Sequence, residues 1–441
     1  MKWILGTLAL LVLGLVLKLS FLVYAMYVLL GILLLSRFFT RTWTENLEVA
    51  RHADGEIFEI GNSINIVVQV QNRGSLTIPW LIIEDSLPLA AMTGRAQRIK
   101  IEGARLELVR LKPGETATLE YGIEFLTRGY YQLGPVLLET GDVFGLHRRF
   151  RVASEPHFAL VLPKVLSLDG YNLASRRPQG EIRVVHRLFE DPTRLAGVRP
   201  YQMGDPLNRI HWRATARTQE LHSRIYETSR VAGATFLLDF HTQSFQGPGG
   251  LSSAELAIVT VASLANAVYL MGQQVGFVSN GRDAADRIRA EGWRAEFLTR
   301  ADAQNRAADP LENDRLRPVR VETRKGLEKM QQILETLARL EHTDGLEFPE
   351  MLATAISQIP RDATVVPVLR HVTPAVATAL GEMVRRGFLV TAVVVAFDQD
   401  SVPDWAKPPE WAELLLAHGI DFRMVNSEES IMNLCAAAIV R

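Results

Sequence analysis

The densest chemistry in this 441-residue chain lies between Arg187 and Glu227, RLFEDPTRLAGVRPYQMGDPLNRIHWRATARTQELHSRIYE. Arg187, Arg194, Arg199, Arg209, Arg213, Arg217 and Arg224 are interleaved there with Phe189, Tyr201, Trp212 and Tyr226. A guanidinium is a planar fork that fits carboxylates and phosphates and stacks on aromatic rings. One reading is therefore a surface for an anionic ligand, nucleic acid or acidic lipid. The other pairs these arginines with Glu190, Asp191, Asp205, Glu220 and Glu227, bracing a linker against its neighbouring domains. The second is favoured, because the acids that neutralise the cations stand beside them in the chain.

Catalysis has less to stand on. Asp205, His211 and His222 are poorly spaced for one helix face, and lone histidines among arginines are more often structural. No P-loop, strand-linked G-x-G-x-x-G, H-E-x-x-H or G-x-S-x-G elbow occurs. A non-enzyme with no catalytic residues is expected. The single cysteine, Cys435, sits in the apolar run MNLCAAAIV, so no disulfide framework exists and the thiol reads as a small buried side chain.

The elements that would position this segment change character on either side of it. From about Asn46 to Ala153, apolar and polar residues alternate at period two, as in Ser63–Gln71, Thr77–Ile83, Thr116–Phe125 and Tyr130–Glu139. Turn residues separate these runs, and the pattern predicts an antiparallel β-sandwich. From Ala234 onward, apolar strands alternate with helices. Strands are predicted at Ala234–Asp239, Val275–Ser279, Thr364–Leu369, Phe388–Phe397 and Asp421–Val425. Helices are predicted at Ser253–Met271, capped by Ser252 or Ser253, within Lys325–Glu341, and at Phe348–Gln358, Pro374–Arg386, Glu410–His418 and Ser427–Val440. Such alternation implies a mainly parallel sheet covered on both faces. Asp283–Arg320 is charged and weakly patterned, and reads as a surface excursion.

The N-terminus holds two apolar runs, Trp3–Leu17 and Leu19–Ser36, divided by Lys18. Together they exceed the ~20 residues that cross a bilayer, so a hairpin with Lys18 at its turn fits better than one helix. Lys2, Arg37 and Arg41 flank the pair and place both ends on the cytoplasmic side. A cleaved signal peptide is disfavoured by the length of the stretch and the lack of a small-residue cleavage site. A single signal-anchor, with the body outside, is the weaker rival. Charge is balanced, 48 basic against 49 acidic residues, so nucleic acid is an unlikely partner and membrane lipid an expected one. The expected division is a membrane anchor over 1–40, a β-sandwich over 46–155, the Arg-rich linker over 156–233 and an α/β domain over 234–441.

One stretch resembles a known family. Tyr201, Gly204, Asp205, Arg209, His211, Trp212, Arg213, Ala216 and Arg217, followed by Leu221 and Glu227, are similar to the signature of domain of unknown function 58. Arg128-Gly129-Tyr-Tyr-Gln-Leu-Gly134-Pro135 and Thr140-Gly-Asp142-Val-Phe144-Gly145-Leu146 resemble the sandwich segment preceding it. The resemblance implies a von Willebrand factor A-like, Rossmann-type C-terminal domain in a bacterial inner-membrane protein. It also implies partners: a MoxR-type AAA+ ATPase and other membrane-bound von Willebrand A-like proteins. Domains of that kind often hold Mg²⁺ through an Asp-x-Ser-x-Ser loop. Here the loop reads Asp239-Phe240-His241-Thr242-Gln243-Ser244, and the strand ending at Leu369 runs into Arg370 and His371. Only Asp239 keeps its place. No cofactor is therefore expected, and Asp239 reads as a degenerate metal site with local hydrogen bonds or ion pairs.

Overall fold

The structure is a computed structural model. It describes residues 2–88, 91, 97–142, 145, 147–168, 190–201, 210–228, 233–247, 249–291, 314–361, 363–395, 410–432 and 434.

Helices α1 (Lys2–Val16) and α2 (Ser20–Glu45) form an apolar pair. The chain reverses at Lys18, which is left-handed with φ 55°. Gly14 lets the helices close on each other, since a Cβ there would lie 3.2 Å from Val23 Cγ2 and 3.3 Å from Leu22 Cδ2. By length and composition α2 can cross a membrane, and only 11% of its most apolar window is buried. The other helix that passes this test, Gly250–Leu270, is 78% buried and is a core helix.

The last turns of α2 behave differently from the first. Leu33, Ser36, Thr40, Trp43 and Thr44 are buried. Ser36 Oγ lies 2.8 Å from His147 Nδ1, and Trp43 stacks on Phe39 with ring centres 5.7 Å apart. Arg151 donates to the carbonyls of Thr44 and Leu47. The helix thus runs into the β region without a linker, and its exposed carbonyls are satisfied there.

That region holds β1 (Leu47–Ala53), β2 (Ile57–Glu59), β3 (Ser63–Asn72), β4 (Ile78–Asp85), β5 (Ile99–Gly103) and β6 (Leu106–Leu111). It continues through β7 (Thr116–Phe125), β8 (Gly129–Leu133), β9 (Val136–Gly141), β10 (Arg148–Val152) and β11 (His157–Leu162). Two antiparallel four-stranded sheets, β1-β3-β7-β5 and β10-β9-β4-β6, share one apolar core. β3 illustrates the cause: SINIVVQVQN turns Ile64, Ile66, Val68 and Val70 to one buried face. They meet Ile123 and Phe125 of β7, Leu81 and Ile83 of β4 and Leu138 of β9. The run Tyr130–Glu139, expected as one strand, is two strands in different sheets. Gly134 at φ 87° and Pro135, which lacks an N–H, break it, so that β8 pairs with β11 and β9 with β4 and β10.

Next come β12 (Glu190–Pro200), α3 (Trp212–Thr218) and β13 (His222–Thr228), with β12 and β13 forming an antiparallel ribbon. The α/β body follows as β14 (Gly233–Leu238), α4 (Gly250–Leu270), β15 (Gln274–Ser279), β16 (Arg282–Asp283), α5 (Ala284–Glu291) and β17 (Val319–Arg324). It continues as α6 (Leu327–Arg339), β18 (Leu340–Glu341), α7 (Phe348–Ala355), β19 (Ala363–Leu369), α8 (Pro374–Arg385), β20 (Leu389–Val395), α9 (Glu410–Ala417), β21 (Asp421–Val425) and α10 (Glu428–Met432). Its main sheet has the order β17-β15-β14-β19-β20-β21, parallel except for β17. β14 and β19 are buried along their whole length, as strands covered on both faces must be. Phe236 and Leu238 face the core beneath α4 and α6, whereas Leu237 faces the core beneath α7 and α8.

Two expectations are corrected here. α4 begins at Gly250 behind Gly249, which is left-handed at φ 69°, so neither Ser252 nor Ser253 caps it and Ser253 is fully buried. Only glycine fits at 250, where a Cβ would fall 1.9 Å from the Phe245 carbonyl oxygen. The expected excursion Asp283–Arg320 supplies α5 and opens the edge strand β17. Its sequence VRVETR buries Val321 and exposes charges, a pattern suited to an edge. Of the expected tail helix, α10 is present; Cys435 lies outside the described residues.

Candidate functional site

The carboxyl ends of three neighbouring strands bring one polar cluster together. β14 is followed at once by Asp239, β15 by Asn280 and β19 by Arg370 and His371. Asp239 is 3% exposed, and both its oxygens are engaged. Oδ2 accepts from Ser244 Oγ at 2.5 Å. Oδ1 accepts from Asn280 Nδ2 at 3.0 Å and from the His241 amide at 3.2 Å. Asn280, 1% exposed, also accepts from the Phe240 amide at 2.7 Å and donates to the Leu346 carbonyl at 3.0 Å. Arg370 donates to the Gln246 carbonyl and lies 5.9 Å from the centre of the Phe245 ring.

This donor set does not fit Mg²⁺. The ion needs several hard oxygens in octahedral array, whereas the one carboxylate here is held by hydrogen-bond donors and an arginine closes the neighbouring strand end. Among the described residues no three His, Cys, Asp or Glu side chains are grouped to hold a metal. Sequence reasoning missed Asn280. Its signal was its place as the first polar residue after a buried strand, since such a residue closes the sheet end.

A second group sits beside the first. His342 stacks on Phe240 with centroids 4.3 Å apart, and Arg128 of the β region lies 5.7 Å from the same ring. Burial, reinforced by the Arg128 charge, holds the His342 pKa below its ordinary 6.5, against the pull of a hydrogen bond with Phe240 and the Glu255 charge. Burial and Arg370 depress His371 in the same direction, against Asp239. A histidine depressed in the folded state contributes fully above its ordinary pKa, and that contribution is lost as pH falls through the depressed value. Thermal melts should therefore show the α/β body losing stability on acidification below about pH 6.5. His342→Phe should flatten part of that fall; an unchanged slope would refute the assignment.

The Arg-rich signature falls on the β12–β13 ribbon and α3. Ile210 is buried and bridges Ser223, while the Tyr201 amide donates to the Leu221 carbonyl at 2.8 Å. His211 caps α3, its Nδ1 accepting from the Ala214 amide at 3.0 Å, and so positions the helix. Trp212 is 65% exposed and Leu221 46% exposed. Arg213 and Arg217, one helical turn apart, are both exposed. Neither makes an ion pair with a carboxylate among the described residues; of the acids expected to brace them, Glu190, Asp191, Asp205 and Glu227 have side chains outside the described residues. Gly204, Asp205 and Arg209 lie outside the described residues, as does the side chain of Glu227.

With this geometry in view, similarity to known proteins falls on the same segment. Residues 197–333 match the family described as Protein of unknown function DUF58. The match takes in the last residues of β12, α3, β13 and the sheet-end cluster as far as Asn280. The uncharacterised protein YeaD of Bacillus subtilis is 24% identical over 243 residues, which span 54% of this chain and 57% of that relative. Solved structures overlap less. The CARDB domain of a Pyrococcus furiosus protein aligns with 26% of this chain and 87% of its own, at 15% identity and a TM-score of 0.18. A part of native alpha-2-macroglobulin from Escherichia coli aligns with 27% of this chain and 24% of its own, at 18% identity and a TM-score of 0.20. Overlaps this small carry no argument about the matched segment or its surroundings.

Proposed function

We propose that this chain is a membrane-tethered, non-catalytic interaction scaffold that works beside an AAA+ ATPase of the MoxR type or in envelope assembly. In this reading α1 and α2 cross a bacterial inner membrane as a hairpin and both soluble bodies are cytoplasmic. The two sheets packed on one core are a β-sandwich. The α/β body is von Willebrand factor A-like. Its sheet order supports that: counted along the chain, the strands β14, β15, β17, β19, β20 and β21 are arranged 3-2-1-4-5-6, the Rossmann-type order.

The observation that carries the reading is mechanical continuity from the apolar helices through the β region to the α/β body. α2 is packed into the β region, and Arg128 of that region is buried against α6 and α4 of the α/β body. The polar cluster at the sheet end is satisfied from within, while the exposed chemistry belongs to α3, with Trp212, Arg213 and Arg217 outward. An exposed tryptophan beside arginines is the composition of an interface hot spot. Pull-down of the full chain from solubilised membranes should recover an AAA+ ATPase, and Trp212→Ala with Arg217→Glu should abolish the recovery. Recovery of neither an ATPase nor an envelope protein overturns the proposal.

The exposure of Arg213 and Arg217 without carboxylate partners among the described residues favours a second reading, an anionic ligand, nucleic acid or acidic lipid, bound at α3. Its mark is steep salt dependence, with affinity for single-stranded nucleic acid or acidic vesicles falling as salt rises and falling further in the Arg213→Gln, Arg217→Gln variant. Salt-insensitive or absent binding removes it.

A further inference from the structure

We infer that the β9–β10 end of the β region lies on the bilayer surface, where Arg37 and Arg148 bind the headgroups of anionic phospholipids. This rests on the reading that α2 crosses a membrane. The argument begins with register. From Ser36 to Thr44, α2 rises about 12 Å, and from His147 to Arg151 the chain along β10 advances about 13 Å. The two ends match: Ser36 meets His147, and Thr44 meets Arg151. β10 therefore runs alongside the emerging helix, and its first residues are level with Ser36 and Arg37. That level is the headgroup layer, because α2 reaches about 30 Å from Ser20 near Phe39.

The orientation is imposed rather than adjustable. Ser36, Thr40, Trp43 and Thr44 are buried against the β region, so no hinge separates the span from the strand. The charges at this level are basic. Arg37 is exposed and makes no ion pair among the described residues. The Arg148 side chain is 68% exposed and reaches only Glu139, at 3.8 Å. One turn higher, Arg41 and Arg149 share Glu45 and are neutralised in part. Two cations held at the headgroup plane by a rigid helix complement phosphate charge. A protein partner would have to displace lipid to reach them.

The test uses the full chain in nanodiscs of phosphatidylcholine alone or with about 30% phosphatidylglycerol, following hydrogen exchange of the β9 and β10 amides. The anionic discs should slow exchange roughly fivefold per arginine, corresponding to the roughly 1 kcal/mol that a basic residue gains near an anionic surface. Arg37→Gln with Arg148→Gln should erase the difference while leaving β3 and β7 unchanged. Equal exchange in the two compositions, or a difference that survives the double substitution, overturns the inference. Failure of the chain to float with vesicles of either composition overturns the membrane reading, and this inference falls with it.

Discussion

Replacing Asp85 with alanine should be the most damaging single change in the β region, lowering its stability by about 3–5 kcal/mol. Asp85 is 0% exposed at the end of β4. Its carboxylate accepts from Arg51 Nε and from the Tyr121 hydroxyl, both at 2.8 Å, and Arg51 also donates to the Leu133 carbonyl at 3.1 Å. The Arg51 side chain is only 6% exposed. Alanine would leave a buried guanidinium and a buried phenol without their acceptor, and an orphaned charge costs more than the lost bonds.

Burial raises the Asp85 pKa above 3.8 even though Arg51 and Tyr121 pull it down. The Tyr121 phenol is pushed up as well, by burial and then by Asp85, so it remains a donor. A carboxyl raised on folding contributes most below its ordinary pKa, and that contribution declines as pH rises through the raised value. This is opposite in sense to the histidines. Chemical denaturation of the full chain in detergent measures the cost. Asp85→Ala paired with Arg51→Met should recover part of it, because the buried charge is no longer orphaned although the Tyr121 hydroxyl still lacks its acceptor. A loss below about 1 kcal/mol for Asp85→Ala would refute the account.

The second large effect is expected at Arg128, where the β region and the α/β body are fastened. Its guanidinium donates to the carbonyls of Leu337, Ala338 and Leu340, at 2.7, 3.3 and 2.9 Å. These carbonyls lie at the carboxyl end of α6 and just beyond, where helix acceptors outnumber donors and a cation suits the helix dipole. Glu255 on α4 lies 3.2 Å away but is 45% exposed, so it adds little. Arg128→Met keeps much of the volume and removes the donors, at a cost of about 2–3 kcal/mol. Calorimetry should then resolve separate transitions for the β region and the α/β body, and proteolysis should cut between them. Glu255→Gln should change the melt by less than about 1 kcal/mol. A single unchanged transition in Arg128→Met would show that the bodies are coupled elsewhere.

Much of this architecture is legible locally. The apolar pair divided by Lys18, the period-two run of β3 and the continuous apolar runs of β14 and β19 each follow from hydropathy alone, because one residue's burial is repeated by its neighbours at the element's own period. The break at Gly134-Pro135 was also local but was overridden by the alternation around it. The start of α4 was misplaced because serine caps many helices, whereas here the close approach of Gly250 to the Phe245 carbonyl selects a glycine. That approach joins a loop to a helix under tertiary packing, and no nearest-neighbour rule contains it.

The candidate site divides in the same way. Composition and spacing were sufficient to single out the Arg-rich segment and to note the cationic residues that follow β19. Only folding brought Asn280 to Asp239 across 41 positions, set Arg128 under α6 across more than 200, and laid β10 along α2 so that Arg148 stands level with Arg37. Hydropathy and propensity act between residues a few positions apart. Hydrogen bonds, ion pairs and the register of a strand against a helix act between residues that meet only once the core has closed, and these decided which of the sequence's charges are buried and which face outward.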